Sequence, residues 1–200
     1  MKLVLASGNA GKRAEIRDVL ADLQIELVAQ SSLGISDAEE TGTTFVENAI
    51  LKARHAARLS GLPALADDSG ICVDALNGAP GLLSARYAGT HGDSAANNAK
   101  LLKQMEGVAD GARRAHFFCV LVLMRSADDP APLIAEGRWH GSILRTARGH
   151  NGFGYDPVFF DEQRQRGAAE LDPAEKNRIS HRGIALARLR ELLTADGIQR

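Results

Sequence analysis

Ala64-Leu65-Ala66-Asp67-Asp68-Ser69-Gly70-Ile71-Cys72-Val73-Asp74 is the stretch whose reading decides the architecture. A short apolar run reaches two adjacent carboxylates and then Ser-Gly. That order reads as a buried strand ending at a loop. In an open α/β sheet, ligands sit at strand ends. Neighbouring carboxylates repel, so their pairing at a strand end points to a cation and a metal-assisted site. Asp, Ser and Gly are also turn formers, and a plain polar turn is the competing reading of this stretch taken by itself.

The flanking pattern is mixed α/β. Leu3 to Ala6 and Ile25 to Ala29 read as buried strands. Between them Ile16, Val19, Leu20 and Leu23 fall on one helix face. Thr44 and Glu47 have capping-box spacing and open a helix running to about Leu59. A helix is expected from Ser94 to Met105, and a long apolar strand from Ala115 to Met124. Leu133 to Glu136 is expected to pair beside that strand, with a separate short strand over Trp139 to Leu144. Asp172-Pro173-Ala174-Glu175 marks a helix start with proline at its first position. Ser180 can cap a last helix whose apolar face includes Leu186, Leu189 and Leu193. Parallel and antiparallel pairing are both expected.

Composition narrows the function classes. The 200 residues are 44% hydrophobic and 24% charged, with net charge −1, as in ordinary soluble globular proteins. The length suits one sizeable domain, 1–200, or two lobes around one core. A near-neutral chain gives no support to a nonspecific nucleic-acid binder. No run approaches the length of a membrane span. Met1 to Ser7 reads as a first strand and not a signal peptide. Cys72 and Cys119 lie in apolar runs without metal-site spacing, so they read as buried thiols of a reducing compartment. A cytoplasmic location is expected.

Four motifs carry chemistry. Ser7-Gly8-Asn9-Ala10-Gly11-Lys12 lies between a strand and a helix. Its small residues admit a ligand to the backbone, the helix N-terminus offers free N–H groups, and Lys12 adds a charge, which together suit phosphate. It is not a Walker A loop, because Ala6 stands at the first glycine and Arg13 replaces the magnesium-binding hydroxyl. Asp37-Ala38-Glu39-Glu40 is acidic, either a solvated loop or the source of a glutamate that joins Asp68 on a cation. Lys52 can reach a phosphate or simply water. In Gly152-Phe153-Gly154-Tyr155-Asp156-Pro157, flanking glycines leave the phenylalanine ring uncovered, able to stack on a nucleobase; the plain alternative is a loop plugging the core. Lys176-Asn177-Arg178-Ile179-Ser180-His181-Arg182-Gly183 gathers donors that fit a keto oxygen and reject an amino group, or is merely a basic helix start.

A phosphate cradle, a cation site, a stacking ring and a donor cluster are the parts of an enzyme acting on a nucleoside triphosphate. Over nearly its whole length the chain resembles the family of inosine/xanthosine triphosphate pyrophosphatases, which act on non-canonical purine nucleoside triphosphates. The resemblance is carried by residues 7–12, Glu-Glu-Thr-Gly at 39–42, Glu-Asn-Ala at 47–49 and Ala-Asp-Asp-Ser-Gly at 66–70. It continues through Gly-Ala-Pro-Gly at 78–81, Ser-Ala-Arg-Tyr at 84–87, Gly-Phe-Gly-Tyr-Asp-Pro at 152–157 and Ser-His-Arg-Gly at 180–183. It implies hydrolysis of ITP, dITP and XTP to the monophosphate and pyrophosphate, which removes them from the nucleotide pool. It further implies magnesium, a cytosolic homodimer, and no nucleic-acid or membrane partner. The implied fold is α/β, two-lobed, a mixed sheet flanked by helices with the active site in the cleft between lobes.

Site roles follow by the same resemblance. Ser7, Gly8, Asn9, Ala10, Gly11 and Lys12 hold the phosphates. Asp68 is the proton acceptor, and Asp68 with Glu39 binds magnesium. Lys12 and Lys52 neutralise departing oxygens, and Ser69 donates to a phosphate. Phe153 stacks on the purine in a loop shared with Gly154 and Tyr155. Lys176, His181 and Arg182 read the base edge, with Asp156 nearby. Ser7 departs from the threonine of many relatives but keeps the hydroxyl, and His150-Asn151 replaces smaller residues. The division of labour between Asp67 and Asp68 stays open. Two rivals remain: a Maf-type pyrophosphatase acting on pyrimidine or modified nucleotides, and a non-catalytic nucleotide sensor.

Overall fold

The computed structural model describes residues 1–197, with Ala10 described by its backbone only. β1 (Lys2–Ala6) is apolar because it has parallel neighbours on both sides. β2 (Glu26–Ala29) sets Val28 opposite Val4. β3 (Ala64–Val73) sets Ala64 opposite Val4 and Ala66 opposite Ala6. Between β1 and β2 lies α1 (Ala10–Leu20), and between β2 and β3 lies α2 (Phe45–Ser60). Leu23 of the expected helical face lies beyond α1, yet joins Ile16 and Leu20 in the core.

α2 starts and stops as its sequence dictates. The Thr44 hydroxyl accepts from the Glu47 N–H, and the Glu47 carboxylate accepts from the Thr44 N–H, a capping box. The same carboxylate oxygen accepts from the Thr43 N–H and from both threonine hydroxyls. At the far end Gly61 takes a left-handed conformation, φ 67°, and its N–H bonds to the Ala57 carbonyl.

Two expectations about strands are corrected. The strand expected over Ala64 to Ala66 does not stop there; β3 runs ten residues, straight through Asp-Asp-Ser-Gly to Val73. The strands expected at Leu133 to Glu136 and Trp139 to Leu144 are one, β5 (Leu133–Ile143), which continues through Gly137. β4 (Arg114–Met124) precedes it, and α3 (Ser94–Gln104), capped by Asp93, precedes β4. The short strands β6 (Phe159–Asp161) and β7 (Arg166–Gly167) pair antiparallel and were not anticipated. α4 (Pro173–Ile179) begins after its Asp172 cap, and α5 (His181–Ala195) follows extended Ser180. The sheet is seven-stranded and mixed, in the order β2-β1-β3-β4-β5-β6-β7, so the α/β expectation holds.

The described residues group into two compact units. The first comprises Met1–Asp68, Cys119–Gly137 and the segment from Arg182 onward. Its core unites Leu3, Leu5, Leu65, Leu121 and Leu123 with Leu186, Leu189 and Leu193 of α5. The second comprises Ser69–Phe118 and Arg138–His181. Its core is aromatic: Phe117 lies 4.7 Å from Phe159 and 6.0 Å from Trp139, centroid to centroid. No helix among the described residues is long and apolar enough to cross a membrane.

Donors from Thr43 and Thr44 hold the Glu47 carboxyl below its ordinary value of 4.5. A depressed carboxylate stabilises the fold above its unfolded pKa and loses that contribution as pH falls through the folded one. Glu47→Ala should therefore melt below the parent at pH 7, with the gap closing as pH falls below 4.5. Thermal melts across that range check this.

Candidate active site

In the first unit, the expected phosphate cradle falls on the connection between β1 and α1. Asn9 is extended, and its side-chain oxygen accepts from the Lys12 N–H at 3.0 Å, so the helix starts at Ala10 with its N-terminus next to Ser7-Gly8. Arg13 donates to the Ser7 carbonyl at 3.0 Å. Gly8 leaves room for the Asp37 carboxylate, since a Cβ there would meet Asp37 Oδ2 at 3.1 Å. Asp37 is in turn held by Gln30 Nε2 at 2.5 Å.

β3 explains how two adjacent carboxylates coexist. Successive side chains of a strand point to opposite faces, so Asp67 and Asp68 each meet a different cation. Lys12 Nζ lies 3.0 Å from Asp67 Oδ2, and Arg182 Nη2 lies 3.6 Å from the same oxygen. Arg182 also pairs with Glu15 of α1. Asp68 Oδ1 instead lies 3.0 Å from Lys52 Nζ, which makes a second 3.0 Å contact to Glu40 Oε1.

The two carboxyls are tuned apart. Burial would raise Asp67, but Lys12, Arg182 and Lys52 outweigh it and hold this carboxyl well below the usual range. Burial dominates at Asp68 and pushes its pKa up; Lys52 opposes the shift and Glu40 adds to it. Lys52 is itself half-buried, which disfavours its charge, yet Asp68, Asp67 and Glu40 together raise its pKa. Asp67 is thus a fixed anion, and Asp68 a carboxylate with enhanced proton affinity. Paired titratable groups pushed apart in this way mark acid–base sites.

The acidic segment is pinned from α2. The Gly42 N–H donates to Asn48 Oδ1 at 2.8 Å. A Cβ on Gly42 would lie 2.6 Å from Glu47 Cβ and 2.7 Å from Asn48 Oδ1. From this segment Glu40 meets Lys52, and both Glu39 and Glu40 are exposed. Among the described residues no three His, Cys, Asp or Glu side chains form a metal-holding group. Asp68 and Glu40, two hard oxygen donors meeting on one cation, fit magnesium, which takes few protein carboxylates and completes its shell with phosphate and water.

The second unit holds the aromatic loop. Phe153 is 38% exposed, and Lys176 Nζ sits 4.9 Å from its ring centroid. The Phe153 N–H donates to Asp156 Oδ2 at 2.7 Å, and Lys176 pairs with that same oxygen. Gly152, at φ 78°, packs so tightly that a Cβ would meet Asp156 Oδ2 at 2.0 Å. Gly154 takes φ 64°, and its carbonyl accepts from Asn98 Nδ2 at 3.0 Å. Tyr155 turns inward instead: it is buried, with its hydroxyl bonded to the Ser84 carbonyl at 2.8 Å. Ser69 is half-buried on β3.

The donor motif divides between the units. Lys176 engages Asp156, and the His181 ring stacks on Phe117 at 4.7 Å and 10°. Arg182 belongs to the first unit, with Asp67 and Glu15. Sequence reasoning missed Glu40 as the carboxylate beside Lys52, and it missed Glu15, Ser84 and Asn98. Position 40 could not be told from position 39 by composition. Glu15 carried one signal, its i,i+3 spacing from Lys12 on α1.

The profile of the Ham1 family matches residues 3–192. The dITP/XTP pyrophosphatase of Xanthomonas campestris pv. campestris (strain 8004) is 60% identical over 193 residues, covering 96% of this chain and 97% of the relative. The dITP/XTP pyrophosphatase of Vibrio cholerae serotype O1 is 55% identical over 188 residues, 94% of each. Among solved structures, a HAM1 protein from Coxiella burnetii superposes with TM-score 0.92 at 54% identity, covering 98% of this chain and 99% of that one. A nucleoside-triphosphatase / dITP/XTP pyrophosphatase from Mycobacterium abscessus gives TM-score 0.77 at 47% identity, covering 94% and 98%. Matched by the family profile over residues 3–192 and 60% identical to a relative over nearly its whole length, this chain belongs to the Ham1 family.

Proposed function

We propose that this protein hydrolyses non-canonical purine nucleoside triphosphates, dITP and XTP foremost with ITP, to the monophosphate and pyrophosphate. The observation that carries the reading is the split carboxylate pair on β3. Asp68, raised by burial and set beside Lys52 and Glu40, is suited to accept a proton from water. Asp67, locked as an anion, is suited to hold Lys12 in place at the cradle. The names of the relatives and the exposed Phe153 ring support the choice of substrate class.

In this mechanism the free N–H groups at the start of α1 and the Lys12 ammonium bind phosphate oxygens. Asp68 orients and deprotonates the water that attacks the α-phosphorus. Lys52 and Lys12 neutralise charge on the departing oxygens, and Ser69 donates to a phosphate. Magnesium would be held by Asp68 with Glu40 or Glu39, and when bound it offsets charge on the leaving pyrophosphate. Phe153 stacks on the purine, its face set by Asp156 through the backbone N–H and by Lys176 above the ring. Lys176 and His181 donate to the keto-bearing edge. Arg182 joins them only from the position that Glu15 and Asp67 fix. A homodimer in the cytoplasm completes the reading.

A keto oxygen at position 6 satisfies these donors, whereas the adenine amino group leaves them unpaired, at about 1–3 kcal/mol each. A panel with magnesium should show kcat/KM for dITP and XTP above that for ATP and GTP. In ¹⁸O-labelled water the label should enter the monophosphate. Orthophosphate as first product, or equal turnover of ITP and ATP, would overturn the reading. Preference for dTTP would favour the Maf-type rival.

The two aspartates should separate under mutation. Asp68→Asn should fold normally and lose roughly 10²–10⁴-fold in kcat, as a lost general base does. Asp67→Asn should instead lose stability by about 3–5 kcal/mol, because it strips the partner from buried cations. Urea unfolding beside steady-state kinetics distinguishes them; an Asp67→Asn protein as stable as the parent would contradict the assignment.

A further inference from the structure

Ser84 lies in a short 3₁₀ helix, Gly81–Arg86, of the second unit and is 7% exposed. Both its polar ends are used. Its hydroxyl accepts from the Ile71 N–H at 3.0 Å and donates to the Gly81 carbonyl at 2.5 Å. Its carbonyl accepts from the Tyr155 hydroxyl at 2.8 Å. One residue therefore ties two pieces of chain. Ile71 is on β3, three residues beyond Asp68. Tyr155 is two residues beyond Phe153, in the loop that presents the ring.

The turn has little freedom to move in response. The buried Asn97 amide donates to the Ser84 and Ala85 carbonyls at 3.4 and 3.3 Å, and its oxygen accepts from the Ala88 N–H at 2.7 Å. Asn98, its neighbour on α3, holds the Gly154 carbonyl from the other side. A phenol on Tyr155 and a hydroxyl on Ser84 are not needed to fill space. A phenylalanine or an alanine would do that, and burying a hydroxyl is unfavourable unless it is bonded.

We propose that Ser84 is a positioning residue that couples the base-binding loop to the catalytic strand, through Tyr155 on one side and the Ile71 amide on the other. The proposal rests on the function assigned above. Tyr155 acts from the core and does not touch substrate with its hydroxyl. The consequence is that the Phe153 loop and the Ile71 segment of β3 share one fixed reference point.

The test uses steady-state ITP hydrolysis by the full chain. Tyr155→Phe cuts only the loop tie and should raise KM for ITP by roughly 2–10-fold, the worth of one neutral hydrogen bond, with kcat within about twofold. Ser84→Ala keeps the carbonyl but strands the Ile71 N–H, and should lower kcat by roughly the same factor with KM little changed. Ser84→Thr, which keeps the hydroxyl, should restore kcat. The double variant should lose less than the product of the single losses, as coupled residues do. Wild-type kinetics in both single variants, Ser84→Thr as impaired as Ser84→Ala, or a fully multiplicative double variant would overturn the proposal. If Ser84→Ala does not fold, Tyr155→Phe decides: an unchanged KM sinks the coupling. Amide hydrogen exchange separates this from a failure of the assigned function. Exchange at Ile71 should speed up in Ser84→Ala whatever the substrate, and an unchanged rate there overturns the tie even if ITP proves to be the substrate.

Discussion

Two carboxylates adjacent in sequence, each neutralised by its own lysine, are the constraint around which the first unit is organised. Neither charge is tolerable in a central strand without a partner, because a buried ion left unpaired costs several kcal/mol. The pleat sends them to opposite faces, so their mutual repulsion is weakened and each side must supply a cation. Lys12 arrives from the start of α1 and Lys52 from the second turn of α2. Each ion pair thus ties one of the two helices to β3. Arg182 and Glu15 extend the network on the Asp67 side, and Glu40 extends it on the Asp68 side.

That network also sets the two carboxyls apart. The cations around Asp67 hold its carboxyl well below the usual range, in keeping with the anchoring role proposed for it. Asp68 has one lysine shared with another carboxylate, and burial wins. The sequence contains both residues but no hint of the asymmetry, because the asymmetry is a property of which face each one occupies.

The reading of the chain succeeded where the signal was local. The Thr44–Glu47 capping box and the proline start of α4 are each specified within four residues, and each was legible. The Gly-Phe-Gly loop was legible as an exposed ring. It failed where tertiary context overrides propensity. Asp and Gly disfavour strands, yet β3 runs on to Val73, past the Ala6–Ala66 pair where β1 stops, with Asp67 and Asp68 each held in an ion pair. The two strands expected at Leu133 to Glu136 and Trp139 to Leu144 are instead one, with Gly137 an interior residue of β5. The donor motif looked like one cluster because its residues are consecutive. Ser180 separates two helices there, and the side chains on either side take different partners.

The chain passes between its two units at Asp68/Ser69, Phe118/Cys119, Gly137/Arg138 and His181/Arg182. Neither unit is a contiguous segment, so no single truncation or proteolytic cut releases one of them whole. Each must be completed by residues synthesised after the other has begun to form. This favours late, long-range closure in folding over stepwise growth from the N-terminus. Two of the four crossings fall inside Asp-Asp-Ser-Gly and Ser-His-Arg-Gly. The motifs that identify the family are therefore also the places where its modules cannot be shuffled apart by recombination.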